Sequence, residues 1–296
     1  MNSQRDRHKR NSEPEPELQP EHPPKTHGFL RLRCSGLSLA RRRLAFAISV
    51  NLGFRHDMGP VPYLPPKLVG LILAPFDYTG EQLTRESIIQ AVEENKYFRS
   101  CNSHYIEAKW GAMRDWDVSK VDSMYRLFVN DDNFDEDLSM WDMSNVENTA
   151  HMFSGASKFT GNLRRWDMSK VTNMNCMFWD ASAFNSDLSK WKVGAVEDMA
   201  SMFRNAVKFN SDLSEWDVGE VTDMWSMFCN ASVFISDLSE WRVGKVKNIG
   251  YMFRNAVKFN SDLSRWDVSS VTYWSYTFEG ATAIDEEDQP IWRVFD

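Results

Sequence analysis

Carboxylates are the most abundant groups in this sequence that could do chemistry, and they recur at a fixed spacing. Asp187, Asp212, Asp237 and Asp262 stand 25 residues apart, and Asn185, Asn210 and Asn260 each precede one of them by two residues. If stacked, the pairs Asn185/Asp187, Asn210/Asp212 and Asn260/Asp262 would offer the hard oxygen ligands that calcium takes. Asn162 and Ile235 interrupt these two columns, and the Gly-rich nonapeptide of calcium-binding β-helices is absent. The same acids placed at a bend would instead accept backbone N–H bonds, and that reading is preferred here. Two of them could also act as general acid and base, but a catalytic pair should be singular and these acids occur in copy after copy. Between residues 84 and 285 histidine is confined to His104 and His151, so no Ser-His-Asp or Cys-His set has spacing behind it. Cys34, Cys101, Cys176 and Cys229 share no repeat position and show no metal-ligand spacing. The sequence therefore predicts no enzyme, no catalytic residue, no cofactor and no metal site. A calcium-dependent repeat protein is kept as an alternative.

The element that must position these groups is a repeat of 25 residues. Trp116, Trp141, Trp166, Trp191, Trp216, Trp241 and Trp266 follow one another without insertion or deletion. Phe128, Phe153, Phe178, Phe203, Phe228, Phe253 and Phe278 keep the same period. So do Val121 to Val271 and Leu138 to Leu263. A period held this strictly means a solenoid or an array. Within one copy the apolar residues Trp216, Val218, Val221, Met224, Met227, Phe228, Ala231, Phe234 and Leu238 return about every third residue, which fits neither a long helix nor an alternating strand. The expected coil has short parallel strands, favoured by its valines, and a single helical turn at Met227–Ala231. One coil cannot bury its own Trp and Phe; stacked coils can. The Trp column, with Phe203, Phe228 and Phe253, is the expected structural core.

A longer period is superimposed. Met202–Ser214 is identical to Met252–Ser264, and the copies between them carry Trp191-Lys192-Val193-Gly194 and Trp241-Arg242-Val243-Gly244. Adjacent coils thus alternate Asp217 and Asp267 with Lys192 and Arg242, placing opposite charges about one strand spacing apart, ~4.8 Å.

The rest of the chain is organised around this array. Residues 1–28 are polar and rich in Pro and Glu, and read as a disordered tail. Residues 29–66 form a basic leader or linker whose apolar run, Leu44 to Phe54, is too short to span a bilayer. Arg41-Arg42-Arg43 before that run resembles a signal peptide set too far from the N-terminus, as a wrongly chosen start codon would produce. Residues 67–115 are a cap region with a helix at about 84–95, N-capped by Thr84 and stapled by Leu83 and Ile88. The solenoid spans 116–285 in about seven coils, and 286–296 is a degraded last coil. Of 34 basic and 42 acidic residues, 11 and 5 lie in residues 1–56, so this stretch carries +6 and the remainder −14. An acidic array argues against nucleic acid as the partner, because phosphate binding needs Lys and Arg.

Trp166-Asp167-Met168-Ser169-Lys170-Val171-Thr172-Asn173-Met174 and Met202-Phe203, with Phe209-Asn210-Ser211-Asp212-Leu213-Ser214, resemble the repeat of the BspA-like surface-protein family. Trp110-Gly111-Ala112-Met113-Arg114-Asp115-Trp116 is similar to the segment that opens such arrays. The resemblance covers about 84–285. It implies a leucine-rich-repeat-like solenoid with adhesion or binding roles, and an extracellular or cell-surface location, although the sequence shows no lipoprotein cleavage box.

Positions that vary between coils are those a partner could read. Lys190, Lys192, Glu215, Asp217, Glu240, Arg242, Arg265 and Asp267 flank the Trp column, and solenoids bind through extended faces of this kind. The expected function is a non-enzymatic protein-interaction or ligand-binding scaffold, without a transmembrane helix, whose partner is a protein or surface ligand. A structural or adhesive protein that self-associates is the alternative.

Overall fold

Every backbone N–H from Met224 to Ala231 has a partner, and the pattern of those partners defines the fold. Met224, Ser226, Phe228 and Asn230 donate forward to the carbonyls of Asn248, Gly250, Met252 and Arg254, at 2.7 to 2.9 Å. Met227, Cys229 and Ala231 close local turns on Met224, Ser226 and Phe228. The Trp225 N–H is taken by Asp223 Oδ1 at 2.8 Å. Local and forward bonds therefore interleave, and no donor is left over. The same interleaving recurs in each 25-residue unit from that of Met124 to that of Ile249, and the last unit keeps the local bonds.

The computed structural model describes residues 82–99, 106 and 109–291. The chain divides into units Met1–Tyr63 and Leu64–Asp296, and all described residues lie in the second. The tail at 1–28, the basic leader at 29–66 and the end of the chain at 292–296 lie outside them.

Parallel pairing links Ser123, Asn148, Asn173, Asp198, Asp223, Asn248 and Tyr273 in one column. It is carried by isolated bridges, where the sequence reading expects short strands. The expected helical turn at Met227–Ala231 is also absent; hydrogen-bonded turns stand in its place. The cause is local. Ser226 and Asn230 have φ of 54° and 61°, and a right-handed helix needs negative φ. Positive φ at the third residue is what a type II turn requires. Two columns adopt it: Arg126 to Tyr276, and Asn130 to Gly280. In the second column Asn255 donates to Asn230, Asn230 to Asn205 and Asn205 to Asp180, forming an amide ladder.

Inside, the aromatic columns stack. The two phenylalanines of a unit lie face to face, as Phe203 and Phe209 do with centroids 3.8 Å apart, and Phe203 stacks on Phe228 of the next unit at 5.7 Å. Trp216 and Trp241 stack at 6.5 Å. From Trp141 to Trp266 each indole also reaches one unit back: Trp216 Nε1 donates to the Leu188 carbonyl at 3.1 Å, as Trp191 does to Leu163 and Trp241 to Leu213. The seven tryptophans are 3 to 5% exposed. Helix α1 (Arg85–Phe98) covers the first unit. Thr84 caps it through a reciprocal bond with Ser87. Arg85, Lys96 and Leu83 satisfy the carbonyls of Ser123, Asn130 and Asp117, and Arg99 forks onto Asp131. At the far end Leu263 N–H donates to the Asp288 carbonyl in the short 3₁₀ turn Glu286–Asp288.

Candidate interaction surface

Three columns of short polar side chains shape the outside of each unit. Asp187, Asp212, Asp237 and Asp262 each accept the N–H of the serine two residues on, at 2.9 to 3.0 Å. One turn later Asp142, Asp167 and Asp267 accept the N–H of the serine two residues on, and Asp217 that of Gly219, at 3.0 to 3.2 Å. Asn148, Asn173, Asp198, Asp223 and Asn248 form the third column. All are Asx turns, the local bond that short polar side chains offer. The bonds from Ser214, Ser189 and Ser264 hold the carboxyls of Asp212, Asp187 and Asp262 below the usual range. A shallow groove of about 280 Å³ is lined by Asn185, Asp187, Asn210 and Asp212 with Ser186 and Ser211. Its amide oxygens already accept the N–H groups of Asn210 and Ile235, and Asp187 pairs with Arg164 at 3.2 Å.

All eight residues of the expected strip, Lys190, Lys192, Glu215, Asp217, Glu240, Arg242, Arg265 and Asp267, are exposed. They do not flank a strand. Leu213 to Trp216 and Val218 to Val221 each close a turn, at 3.1 and 3.0 Å, so Glu215 and Asp217 sit on the bends either side of Trp216. Arg242 meets Asp217 of the preceding unit at 3.2 Å, and Lys245 meets Glu220 one step further along. The Ser169 bonds, with Lys192 assisting, hold the Asp167 carboxyl down.

Beneath this strip the core does not change. Trp191 and Val193 beside Lys192 are 3% and 1% exposed, and Trp216 and Val218 beside Asp217 have the same values.

Sequence reasoning missed a second column. Arg204 lies between Trp179 and Trp225, its guanidinium carbon 5.8 and 5.4 Å from their ring centroids. Trp225 meets Tyr251 edge-on at 6.1 Å, and Tyr251 stacks on Tyr276 at 5.1 Å. These residues occupy positions that differ from unit to unit, so no repeat marks them. The available signal was the presence of large aromatics and arginine at variable positions. Beside them burial, with Asp198 adding to it, pushes the Cys176 thiol up to about 12, which keeps it protonated and unreactive. Burial also lowers His151.

Residues 94–213 and 188–292 match the sequence profile of a family described as "Mycoplasma protein of unknown function, DUF285". The chain belongs to the DUF285 family. The two matches overlap across 188–213, as expected where one DUF285 profile fits a repeated sequence in two registers. No curated protein and no solved structure matches the chain. Among the described residues of this DUF285 member no helix is long and apolar enough to cross a membrane.

Proposed function

We propose that this DUF285 member is a non-enzymatic interaction scaffold, a leucine-rich-repeat-like solenoid whose turn-borne charge strip is read by a protein or surface ligand. One observation carries the reading: Lys192 and Asp217 sit on identically buried Trp and Val positions, so the core does not dictate the charge that varies above it. Seven units at ~4.8 Å give a strip on the order of 30 Å, long enough for a contact of ~800 Å² per partner. The likeness to BspA-like surface repeats supports an adhesive form of the same role.

The test neutralises Lys192→Gln and Arg242→Gln together and measures retention of a partner from the source cell across a salt series. The scaffold reading expects a partner held by the wild type, released by salt and lost by the double variant, because such charges govern association and specificity. Equal retention by both proteins contradicts it.

Self-association has an observation of its own. Tyr273, Trp274 and Tyr276 are 43, 40 and 52% exposed, and large exposed aromatics grouped together mark contact surfaces.

A further inference from the structure

The duplicated segment Met202–Ser214 and Met252–Ser264 places two arginines in equivalent positions, Arg204 and Arg254. Their surroundings differ. Arg254 packs over Tyr251 at 5.5 Å and its Nε meets the Glu279 carboxylate of the next unit at 2.6 Å. Arg204 packs between Trp179 and Trp225, but the residue at the place of Glu279 is Cys229. Among the described residues Arg204 has no carboxylate beside it, and its Nε is buried without a hydrogen bond, as is the neighbouring Trp179 Nε1. The Arg254 Nε–Glu279 contact is itself an ion pair without hydrogen-bond geometry, so the carboxylate and not the state of Nε distinguishes the two arginines. A buried donor left unpaired is costly and calls for an explanation. The side chain itself is half-buried, so part of it faces solvent.

We infer that Arg204 is an anchor for an acidic side chain of a protein partner, whose carboxylate takes the place that Glu279 takes against Arg254. The indoles on both sides hold the guanidinium plane fixed, and a fixed fork loses less freedom on binding a carboxylate than a mobile one. Trp, Tyr and Arg are also the residues that dominate interface energetics. This column is separate from the charge strip, and the two proposals stand or fall independently.

The test uses the full chain with ¹⁵N-labelled tryptophan side chains. The probe is the acetylated, amidated tripeptide Leu-Glu-Leu at millimolar concentration, with Leu-Gln-Leu and inorganic phosphate as comparisons. The Glu peptide should shift the Trp179 and Trp225 indole signals, with the Gln peptide about tenfold weaker, because the charged bond is the stronger one. Arg204→Met should abolish the shifts. Arg204→Lys, which keeps the charge and the bulk, should weaken them several-fold. Glu279→Gln, at an exposed position, should remove the carboxylate beside Arg254 and add a response to the Glu peptide at the Tyr251 ring, read with ¹³C-labelled tyrosine. Equal response to both peptides, shifts that survive Arg204→Met, or a response to phosphate but not to the Glu peptide would each overturn the proposal. Should the Met variant not fold, Arg204→Lys and Glu279→Gln still decide it.

Discussion

Trp216 does two jobs that substitution can separate. Its indole is buried, and its N–H satisfies the Leu188 carbonyl of the preceding unit at 3.1 Å. Trp216→Phe should keep most of the packing and lose only the indole bond, because the Leu188 carbonyl still accepts the Trp191 N–H at 3.0 Å; the cost should be about 0.5–1.5 kcal/mol. Trp216→Ala should cost roughly 3–5 kcal/mol. Urea unfolding of both variants checks the order; no loss in Trp216→Phe would show that the hydrogen bond contributes nothing, and equal losses would show that the packing adds nothing beyond it. Asp223 offers the opposite case. Burial, with the nearby Asp198 adding to it, raises its carboxyl above the ordinary value. A raised carboxyl is less favourable in its ionised form in the folded chain than in the unfolded one. The resulting penalty is present at neutral pH and disappears as pH falls below the unfolded value of about 3.9. Asp223→Asn should therefore raise the melting temperature at pH 7 and leave it unchanged near pH 3. Asn148, Asn173 and Asn248 already make the same turn bond, so the variant has a template.

At the scale of elements, the acidic turns set the response to acid. Asp187, Asp212, Asp237 and Asp262 are lowered by their serine bonds. Carboxyls lowered by folding contribute stability above their unfolded value, and that stability is lost as pH falls through the folded value. The array should lose melting temperature between pH 5 and pH 2, against the trend of Asp223 alone; a flat profile would mean that these bonds do not stabilise the fold. The cap is a second element to test. Thr84→Ala removes the reciprocal bond with Ser87 and should cost ~1 kcal/mol. These elements were unequally legible in the sequence. The Trp and Phe columns show their register because one residue type repeats at each, and the Thr84 cap shows itself by residue type. The left-handed positions do not. Arg126, His151, Cys176, Ser201, Ser226, Tyr251 and Tyr276 share a positive φ but no side-chain property. From Arg126 to Tyr251 each donates a forward bond to the next unit, a long-range partner that residue type does not reveal, so a helical turn was expected where turns stand. The Arg204 column was hidden because its residues come from different units and none of them recurs in every unit.

Across the whole molecule, a core that repeats lies beneath a surface that varies. Chelator or added calcium should leave the melting temperature unchanged, because the groove oxygens at Asn185 and Asn210 are already engaged by backbone N–H groups. A bound ion at a hundredfold excess over Kd would raise stability by ~2.7 kcal/mol, a shift that melting would reveal. Sedimentation over a range of concentrations checks the self-associating alternative, which predicts a dimer weakened by Tyr276→Ser. The separation of core from surface is tested most directly by the thermal midpoint of the Lys192→Gln, Arg242→Gln protein. The Arg242 and Asp217 side chains are 80% and 56% exposed, and exposed pairs contribute ~0–1 kcal/mol. The midpoint should therefore lie within a few degrees of wild type. A collapse of the array in this variant would show that the charge column holds the stack together, and would contradict its role as a recognition strip.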